Sequence, residues 1–317
     1  MAMNMVQFQP GMSMREFNDR FGTEDQCLNA LEALRWPDGF RCPRCNSSTH
    51  CRLARGGRSL LQCSACRHQA SVSAGTMMDS TKLPLRTWLA AMYLISQAKT
   101  GLSALALKRH LGLSYRTAWL LHHKVMEAMA LADAQCPLEG SILLDDAYLG
   151  GERPGTSGRG SENKVPFIAA VELSDSGRPL RAKLTAIGGF TCAAVTSWAK
   201  ANLRPGSDVH SDGLSCFAGV IDAGCAHTYV VVGDRKPRDL PKFKWVNTVI
   251  ANLKTMVNGA HKHFRFAKYP GHYLGAFCYR FNHRFDLRTL VIQLFGHVIR
   301  ATRMPERVLR GVAEVHA

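Results

Sequence analysis

The sequence predicts an α/β protein in which a small metal-binding module and a helical segment precede a mixed α/β domain. Three observations predict this class. Two cysteine pairs near the N-terminus have the spacing of metal ligands, apolar residues recur at helical intervals over residues 82–132, and residues 140–235 alternate short β-rich runs with one amphipathic stretch. A chain of 317 residues is long enough for two domains and a small additional module.

The overall charge favours a polyanionic partner. Lys and Arg number 40 against 24 Asp and Glu, which gives a formal net charge of +16. An excess of this size favours nucleic acid, although a basic protein with another partner remains an alternative. The sequence has no apolar run of the roughly 18 residues that a membrane span requires, and residues 1–22 lack the pattern of a secretory signal. We therefore expect a cytoplasmic, nucleoid-associated protein.

Short helices are predicted over residues 14–35. Apolar residues recur there at mostly helical spacing, and Phe17 and Leu31 are among them. Thr23 begins a segment with the pattern of a capped helix start. The Trp-Pro-Asp-Gly sequence that follows ends the helical pattern.

Two C-x-x-C pairs separated by seventeen residues predict a zinc ribbon over residues 37–80. Four thiolates at this spacing can close a tetrahedron around Zn²⁺, and in a reducing compartment this interpretation is preferred to four unrelated thiols. The predicted ligands of one structural Zn²⁺ are Cys42, Cys45, Cys63 and Cys66. The other seven cysteines are predicted to be small buried apolar side chains: Cys27, Cys51, Cys136, Cys192, Cys216, Cys225 and Cys278.

Basic residues crowd the predicted ribbon. Because the module is so small, this density favours contact with DNA phosphate over a merely solvated basic face. The arginines concerned are Arg41, Arg44, Arg52, Arg55, Arg58 and Arg67. Two of them, Arg44 and Arg67, are predicted to bind DNA.

A helix-turn-helix pattern is predicted within the helical segment over residues 81–135. A first helix over residues 103–110 precedes a Leu-Gly-Leu turn, and Ser114 is placed to cap a second helix. The second helix is predicted to enter a DNA groove, although an ordinary helical hairpin has the same pattern. Its predicted DNA contacts are Tyr115, Arg116 and Lys124, whereas the pair His122 and His123 is predicted to be a surface feature.

Acidic residues follow two predicted strands. Asp145 and Asp146 come after an apolar run that starts at Ser141, and Asp212 ends a second run. Since neighbouring residues on a strand point to opposite faces, we expect Asp145 to face a site and Asp146 to point away. A lone aspartate at a strand end is more often a turn former, so each position is weak evidence alone.

A predicted helix over residues 245–256 completes the pattern. Asn247 and Lys254 lie two helical turns apart and share one face of this helix, although Asn247 could merely cap it. Sixty-six residues separate Asp145 from Asp212, and 34 separate Asp212 from Asn247. A basic Gly-rich loop follows the first acidic strand over residues 150–160.

The order of predicted elements is βββαβαβα, the RNase H-like, retroviral integrase-like arrangement. The further strands are predicted over residues 165–173, 180–187 and 227–232, and the helices between them over residues 192–203 and 216–223. In this arrangement two strand-borne acids and one helix-borne ligand meet at a metal pair. Carboxylates suit Mg²⁺, and two such ions can stabilise both the attacking and the leaving oxygen of a phosphodiester.

Several long strings resemble bacterial insertion-sequence transposases of the Merlin-related, ISXO2-like group, which combine a zinc ribbon with a DD(E/N) core. Among them are RWPDGFRCPRC, CSACRHQASVSAGTMM, LLDDAYLGG, GSENKVPFIAAVEL, VHSDGLSCF and WVNTVIANLKTMVNGAHKHF. The resemblance implies that Asp145 and Asp212 are the two catalytic acids. It puts Asn247 where many relatives have the catalytic Glu and Asp146 where many have Glu. It also puts Lys254 at the following basic position. Asn247 is thus expected to complete a metal ligand set, and Lys254 to contact DNA phosphate near the cleaved bond.

The resemblance implies a transposase that binds the terminal inverted repeats of its element and catalyses DNA strand cleavage and strand transfer. Expected cofactors are a catalytic pair of Mg²⁺ or Mn²⁺ ions and one structural Zn²⁺. DNA is the expected partner, bound by a homodimer or higher oligomer, and Lys164 is a further expected DNA contact. The alternatives are a catalytically impaired transposase-derived DNA-binding protein and an RNase H-fold nuclease.

The predicted domain order follows from these elements. It comprises an N-terminal helical segment over 1–36, the zinc ribbon over 37–80, the helix-turn-helix-like region over 81–135, the RNase H-like core over 136–300 and a tail over 301–317.

Overall fold

The computed structural model describes residues 5–56, 58–150, 164–231, 240–261 and 268–312. The chain divides into two compact units. The first contains residues 1–99, 104–128 and 286–306, and the second contains residues 100–103, 129–285 and 307–317. The basic loop predicted over residues 150–160 lies outside the described residues, except for Gly150.

The first unit begins with three helices: α1 (Met5–Phe8), α2 (Met14–Phe21) and α3 (Glu24–Arg35). The predicted start at Thr23 is confirmed as a capping box. The Thr23 Oγ1 atom accepts from the backbone N–H of Gln26 at 3.2 Å, and the Gln26 side chain accepts from the N–H of Thr23 at 2.9 Å. These bonds satisfy two helix-end donors and fix where α3 begins.

The ribbon is a three-stranded antiparallel sheet formed by β1 (His50–Arg55), β2 (Arg58–Cys63) and β3 (Gln69–Ala70). Its apolar core is small and includes Phe40, Leu61 and Ala70 beside the buried Cys63. The segment after β3 is attached to α3, because the Arg35 guanidinium donates to the carbonyls of three residues between Ser71 and Ala74.

Four more helices contribute to the first unit: α4 (Leu85–Gln97), α5 (Ala104–Leu111), the beginning of α6 (Tyr115–Ala134), and α10 (Leu290–Arg300). The sequence prediction assigned residues up to 300 to the catalytic core, whereas the structure groups α10 with the first unit. The reason is its apolar face, which packs on α3 and α4. Phe295 of α10 meets Phe21 edge to face, with ring centroids 5.3 Å apart.

The second unit contains a five-stranded mixed sheet in the order β6-β5-β4-β7-β8. The strands are β4 (Ser141–Leu149), β5 (Val165–Leu173), β6 (Pro179–Ala186), β7 (Asp208–Ser211) and β8 (Ala226–Tyr229). The first three pair antiparallel, while β4/β7 and β7/β8 pair parallel. This is the RNase H-like arrangement that the sequence predicts.

The helices of the second unit are α7 (Cys192–Asn202), α8 (Lys244–Met256) and α9 (Pro270–Asn282), with a 3₁₀ helix at Ser215–Ala223, a π-helical turn at Val257–His261 and α11 at Glu306–Val312. Ile142, Leu144 and Val209 pack with Trp198 and Phe217 on one side of the sheet. On the basis of strand alternation, Leu143 belongs to the other side. Helix α8 contacts β4 and β5, and α9 contacts β6.

Side chains of α9 and of Arg284 just after it hydrogen-bond to backbone groups at the outer edge of β6. The Asn282 amide accepts from the N–H of Ala182 at 2.7 Å and donates to its C=O at 3.0 Å. The Cys278 sulfur accepts from the N–H of Leu184 at 3.2 Å, and Arg284 donates to two further β6 carbonyls. These bonds replace those that a neighbouring strand would make, so the edge is protected from pairing with another chain.

All eleven cysteines are free thiols, as expected without a disulfide scaffold. Burial is as predicted for four of the seven outside the ribbon motifs: Cys27, Cys216, Cys225 and Cys278. The prediction is wrong for three cysteines, which are exposed. Cys51 lies on the edge strand of the ribbon, Cys136 follows the end of α6, and Cys192 is the first residue of α7. Among the described residues, no helix is long and apolar enough to cross a membrane.

Candidate functional site

The two C-x-x-C motifs bring four sulfurs together. The Cys42 and Cys66 Sγ atoms lie 3.6 Å apart, and those of Cys45 and Cys63 lie 3.5 Å apart. All four Sγ atoms lie within 4.8 Å of one another. Four converging thiol sulfurs are the donor set of a closed structural Zn²⁺ site.

Each cysteine pair is closed by the same backbone turn. The N–H of Asn46 donates to the Cys42 carbonyl at 2.9 Å, and the N–H of Arg67 donates to the Cys63 carbonyl at 3.0 Å. Asn46 and Arg67 both have left-handed backbones, with φ of 61° and 60°. In the second motif, the backbone N–H of Cys66 donates to the Cys63 sulfur and lowers the pKa of that thiol to about 6, which favours the thiolate that binds metal.

The middle of β4 and the end of β7 bring two acidic residues together. Asp145 and Asp146 lie within β4 and not after it, because β4 continues to pair with β5 as far as Leu149. The two strands pair in parallel from Ser141 beside Asp208 to Leu144 beside Ser211, so Asp145 and Asp212 follow equivalent positions. Their carboxylates converge within 4.8 Å, as the sequence predicts. A Gly213 φ of 88° and a 3.2 Å bond from the N–H of Leu214 to the Asp212 carboxylate shape the turn after β7.

The expectation that Asp146 points away is wrong, because its carboxylate lies within 4.8 Å of both others. The reason is the different length of the strands. The pairing of β7 with β4 ends at Leu144, so no described strand covers that side of β4 at Asp145 and Asp146. The N–H of Asp146 donates to Asp145 Oδ1 at 2.9 Å and turns that carboxylate along the strand. Carboxylates from opposite faces can therefore meet where β4 extends beyond the end of β7.

Comparison with known proteins agrees with both clusters. Residues 137–282 match the family described as ISXO2-like transposase domain, and residues 22–69 match the transposase zinc-ribbon domain. The resemblance to ISXO2-like transposases is confirmed. The first match contains all three carboxylates, and the second contains both cysteine pairs.

A curated relative supports the same class. An uncharacterized protein in transposable element ISH50 of Halobacterium salinarum is 27% identical over 171 residues, which cover 48% of this chain. The match spans 56% of that relative's length. Together with the two domain matches, this similarity supports a transposase.

The helix-borne residues of the predicted transposase site lie on α8. Val246, Val249 and Leu253 are buried on its apolar face, while Asn247 is half-buried and Lys254 is exposed. Because α8 contacts β4 and β5, it lies on the same part of the sheet as the first acidic strand. The metal contact of Asn247 and the phosphate contact of Lys254 remain predictions.

One cation near the acidic cluster was missed by sequence analysis. Lys242 lies before α8, and its ammonium is 3.1 Å from Nδ1 of His210 on β7. Burial and the charge of Lys242 lower the pKa of His210, which favours a neutral ring that accepts from the ammonium. His210 shares a strand face with Asp212 two residues later, and this alternation is the signal that could have identified it.

Most predicted DNA contacts are accessible. Arg44, Arg67 and Tyr115 are exposed, and Arg116 is exposed although it forms an ion pair with Glu306 at 3.2 Å. Lys164 is half-buried directly before β5. The predicted cap is confirmed, since Ser114 Oγ accepts from the N–H of Thr117 at 3.2 Å. DNA contact by these residues remains a prediction.

Lys124 does not fit its predicted role. Only 8% of this residue is exposed, and its ammonium donates to the Met77 carbonyl at 3.0 Å. His122 and His123, predicted to be a surface feature, are also buried. All three predictions are wrong because α6 is buried on several faces, which removes the polar side that a helix-turn-helix pattern suggests.

Proposed function

We propose that this transposase binds the terminal inverted repeats of its element and catalyses metal-dependent DNA strand cleavage followed by strand transfer. The observation that carries the proposal is the meeting of three carboxylates where the end of β7 lies beside the middle of β4, within a matched transposase domain. Three like charges within a few ångströms of one another are costly unless cations neutralise them.

The donor set fits Mg²⁺ or Mn²⁺, because carboxylate oxygens are the ligands that these hard cations prefer. Asp145 and Asp212 would hold two such ions, and the Asn247 amide oxygen would complete one ligand set. When bound, a pair of divalent ions stabilises the attacking and the leaving oxygen of a phosphodiester. The exposed ammonium of Lys254 would contact the DNA phosphate next to the cleaved bond.

Asp146 changes the charge balance of this site. Asn247 is neutral where many relatives have Glu, so a site of Asp145, Asp212 and Asn247 alone would carry two negative charges. The Asp146 carboxylate lies within 4.8 Å of the other two and contributes a third. We include Asp146 among the metal-holding residues on this ground.

DNA recognition is assigned to the first unit. One Zn²⁺ held by the ribbon sulfurs would fix the module, and Arg44, Arg67, Tyr115 and Arg116 would contact DNA, with Lys164 contributing from the core. Binding through phosphates should weaken steeply with salt, because each neutralised phosphate releases counterions. We propose that a homodimer or higher oligomer assembles on the element ends.

The deciding experiment is an end-cleavage assay with Mg²⁺ on duplexes carrying the inverted repeats that flank the gene. Wild-type protein should nick or cut these ends. Asp212→Asn should abolish cleavage but leave DNA binding nearly unchanged, whereas Asp208→Asn, at the exposed start of β7, should cleave normally. Binding without cleavage by the wild type would favour a catalytically impaired derivative. Absence of flanking repeats would favour a nuclease.

A further inference from the structure

An exposed aromatic side chain lies beside the turn that carries Asp212. Tyr229, the last residue of β8, is 61% exposed, and Val231 shortly after it is 62% exposed. A Cβ atom built on Gly213 would lie 3.4 Å from Tyr229 Cδ2 and 3.5 Å from Val231 Cγ2. Since consecutive Cα atoms are about 3.8 Å apart, the tyrosine ring is within about one residue of the Asp212 backbone.

The Tyr229 ring is carried by a backbone that is hydrogen-bonded to the neighbouring strand. Tyr229 pairs with Ser211 in the parallel β7/β8 ladder, and the next N–H, of Val230, donates to the Ser211 carbonyl at 3.0 Å. The His227 ring lies 5.9 Å from the Tyr229 ring and is itself 2.9 Å from the Ser211 hydroxyl through Nε2. A tyrosine braced in this way loses little conformational entropy when a flat partner covers it.

The surroundings favour a nucleobase as that partner. An exposed aromatic ring stacks on any base, because every base has a π-face. Without bound cations the carboxylates of the acidic cluster would repel the phosphates of a strand, whereas with cations bound the cluster would attract them. A nucleotide at this place could put its phosphate near the metal ions and its base over the ring.

We propose that Tyr229 stacks on a base of the cleaved strand close to the scissile phosphate, with Val231 supporting the edge of that base. The inference rests on the proposed function, because the strand must reach the acidic cluster. Tyr229 is then a direct DNA contact that determines how the scissile phosphate is positioned, and it makes the site favour ends whose terminal base pair opens easily.

The test uses the full chain and element-end duplexes with 2-aminopurine at single positions around the cleaved bond. In the Asp212→Asn background, which should bind without cutting, stacking on Tyr229 should quench the probe at one position. Tyr229→Ala should raise fluorescence there, and Tyr229→Phe should not. In cleavage assays Tyr229→Ala should lower kcat/KM by about 10- to 100-fold, the loss expected for one stacked base, while Tyr229→Phe and Tyr229→Trp stay within about threefold of wild type.

Ile221→Ala is the matched control, because Ile221 is also an exposed apolar side chain of the second unit, at 57%, but lies on the 3₁₀ helix. It should cleave normally. Wild-type cleavage and unchanged fluorescence in Tyr229→Ala would overturn the inference while leaving the proposed function intact. If Asp212→Asn cleaves as wild type does, the proposed function itself fails. If Tyr229→Ala melts at a lower temperature than wild type, Tyr229→Phe and Tyr229→Leu are compared instead. Stacking predicts that only the aromatic variant retains quenching, and equal quenching in the two variants would overturn the inference.

Discussion

The two candidate metal clusters of this chain are built in opposite ways. The four ribbon sulfurs come from two four-residue motifs, and each motif is closed by its own backbone turn. The acidic cluster depends on the parallel pairing of β4 with β7, which brings together residues that have 66 others between them in the chain. One cluster is a product of local sequence, and the other is a product of topology.

The two clusters also differ in the size of the apolar core around them. The apolar core of the ribbon is small, so we expect the ribbon to need a metal ion on its four sulfurs in order to fold. The acidic cluster lies at the end of a sheet with an extensive core of its own, which includes Leu144, Ile168 and Phe217. Metal should therefore be a structural requirement of the first cluster and only a functional requirement of the second.

The largest expected effect tests the structural requirement. Cys63→Ser should release Zn²⁺ and unfold the ribbon while the RNase H-like sheet keeps its fold, because only the ribbon lacks a core that is stable without metal. Metal analysis should fall from one zinc per chain to none, and limited proteolysis should cut between residues 40 and 75. Cys51→Ser, a change at an exposed cysteine of β1, is the control and should retain zinc. Well-folded protein without zinc would contradict the prediction.

The next effect tests the functional requirement. Asp145→Asn should lower cleavage by on the order of 1,000-fold or more with an unchanged melting temperature, since it removes a metal-holding charge and not a core contact. Asp146→Asn should weaken Mn²⁺ binding, followed by electron paramagnetic resonance, and lower cleavage by a smaller factor.

A second substitution sharpens the role of Asp146. If its carboxylate compensates for the neutral Asn247, then Asn247→Glu should restore metal binding and cleavage to Asp146→Asn. Asn252→Glu, an exposed position on the same helix, should not restore them. Asp146→Asn with wild-type Mn²⁺ affinity would remove Asp146 from the site. Normal cleavage by Asn247→Ala would leave Asn247 with no more than a structural role in α8.

The sequence predicts those features that depend on neighbouring residues. Ser114 and Thr23 cap the helices that their motifs indicate, and the strand predicted over 165–173 has those bounds in the structure. The order of strands and helices along the second unit also agrees with the prediction, because each short β-rich run is recognisable from its own residues.

The sequence-based predictions fail where packing between distant parts of the chain determines the position of a side chain or helix. Lys124 looks like a surface cation in the sequence, but it is buried, and its ammonium contacts the Met77 carbonyl and the Trp88 ring. The position of Asp146 depends on where β7 stops, which no local pattern in β4 reveals. The grouping of α10 with α3 and α4 is equally hidden, since an apolar helix face does not specify which partner covers it.

A smaller effect is expected at the edge of β6, away from both clusters. Asn282→Ala should lower the free energy of unfolding of the second unit by about 2–4 kcal/mol, because it leaves both backbone groups of Ala182 without their partner. Chemical denaturation followed by tryptophan fluorescence measures the change. Asn252→Ala, at an exposed helix position, is the matched control and should have little effect. An equal effect of the two changes would argue against the edge bonds.

The smallest expected effect concerns Arg67 in the ribbon. Arg67 has a left-handed backbone that glycine adopts without cost, so Arg67→Gly should stabilise the second cysteine motif by about 0.5–1 kcal/mol. Arg67→Ala removes the same charge but keeps the conformational cost. Resistance of zinc to a chelator should therefore rise only for glycine, whereas DNA affinity should fall equally for both variants. Equal DNA affinity in wild type and both variants would exclude Arg67 from the DNA contact.

The bonds that α9 makes to β6 have a consequence for shortened versions of this protein. A chain that stops before Asn282 would still contain all five strands and all three carboxylates. It would also present the uncovered backbone of Leu180 and Ala182 to every other copy in solution, and two such edges are complementary to each other. Fragments designed around the acidic residues alone should therefore be insoluble or cross-paired, so an expression boundary is better placed after Arg284 than at the last catalytic position.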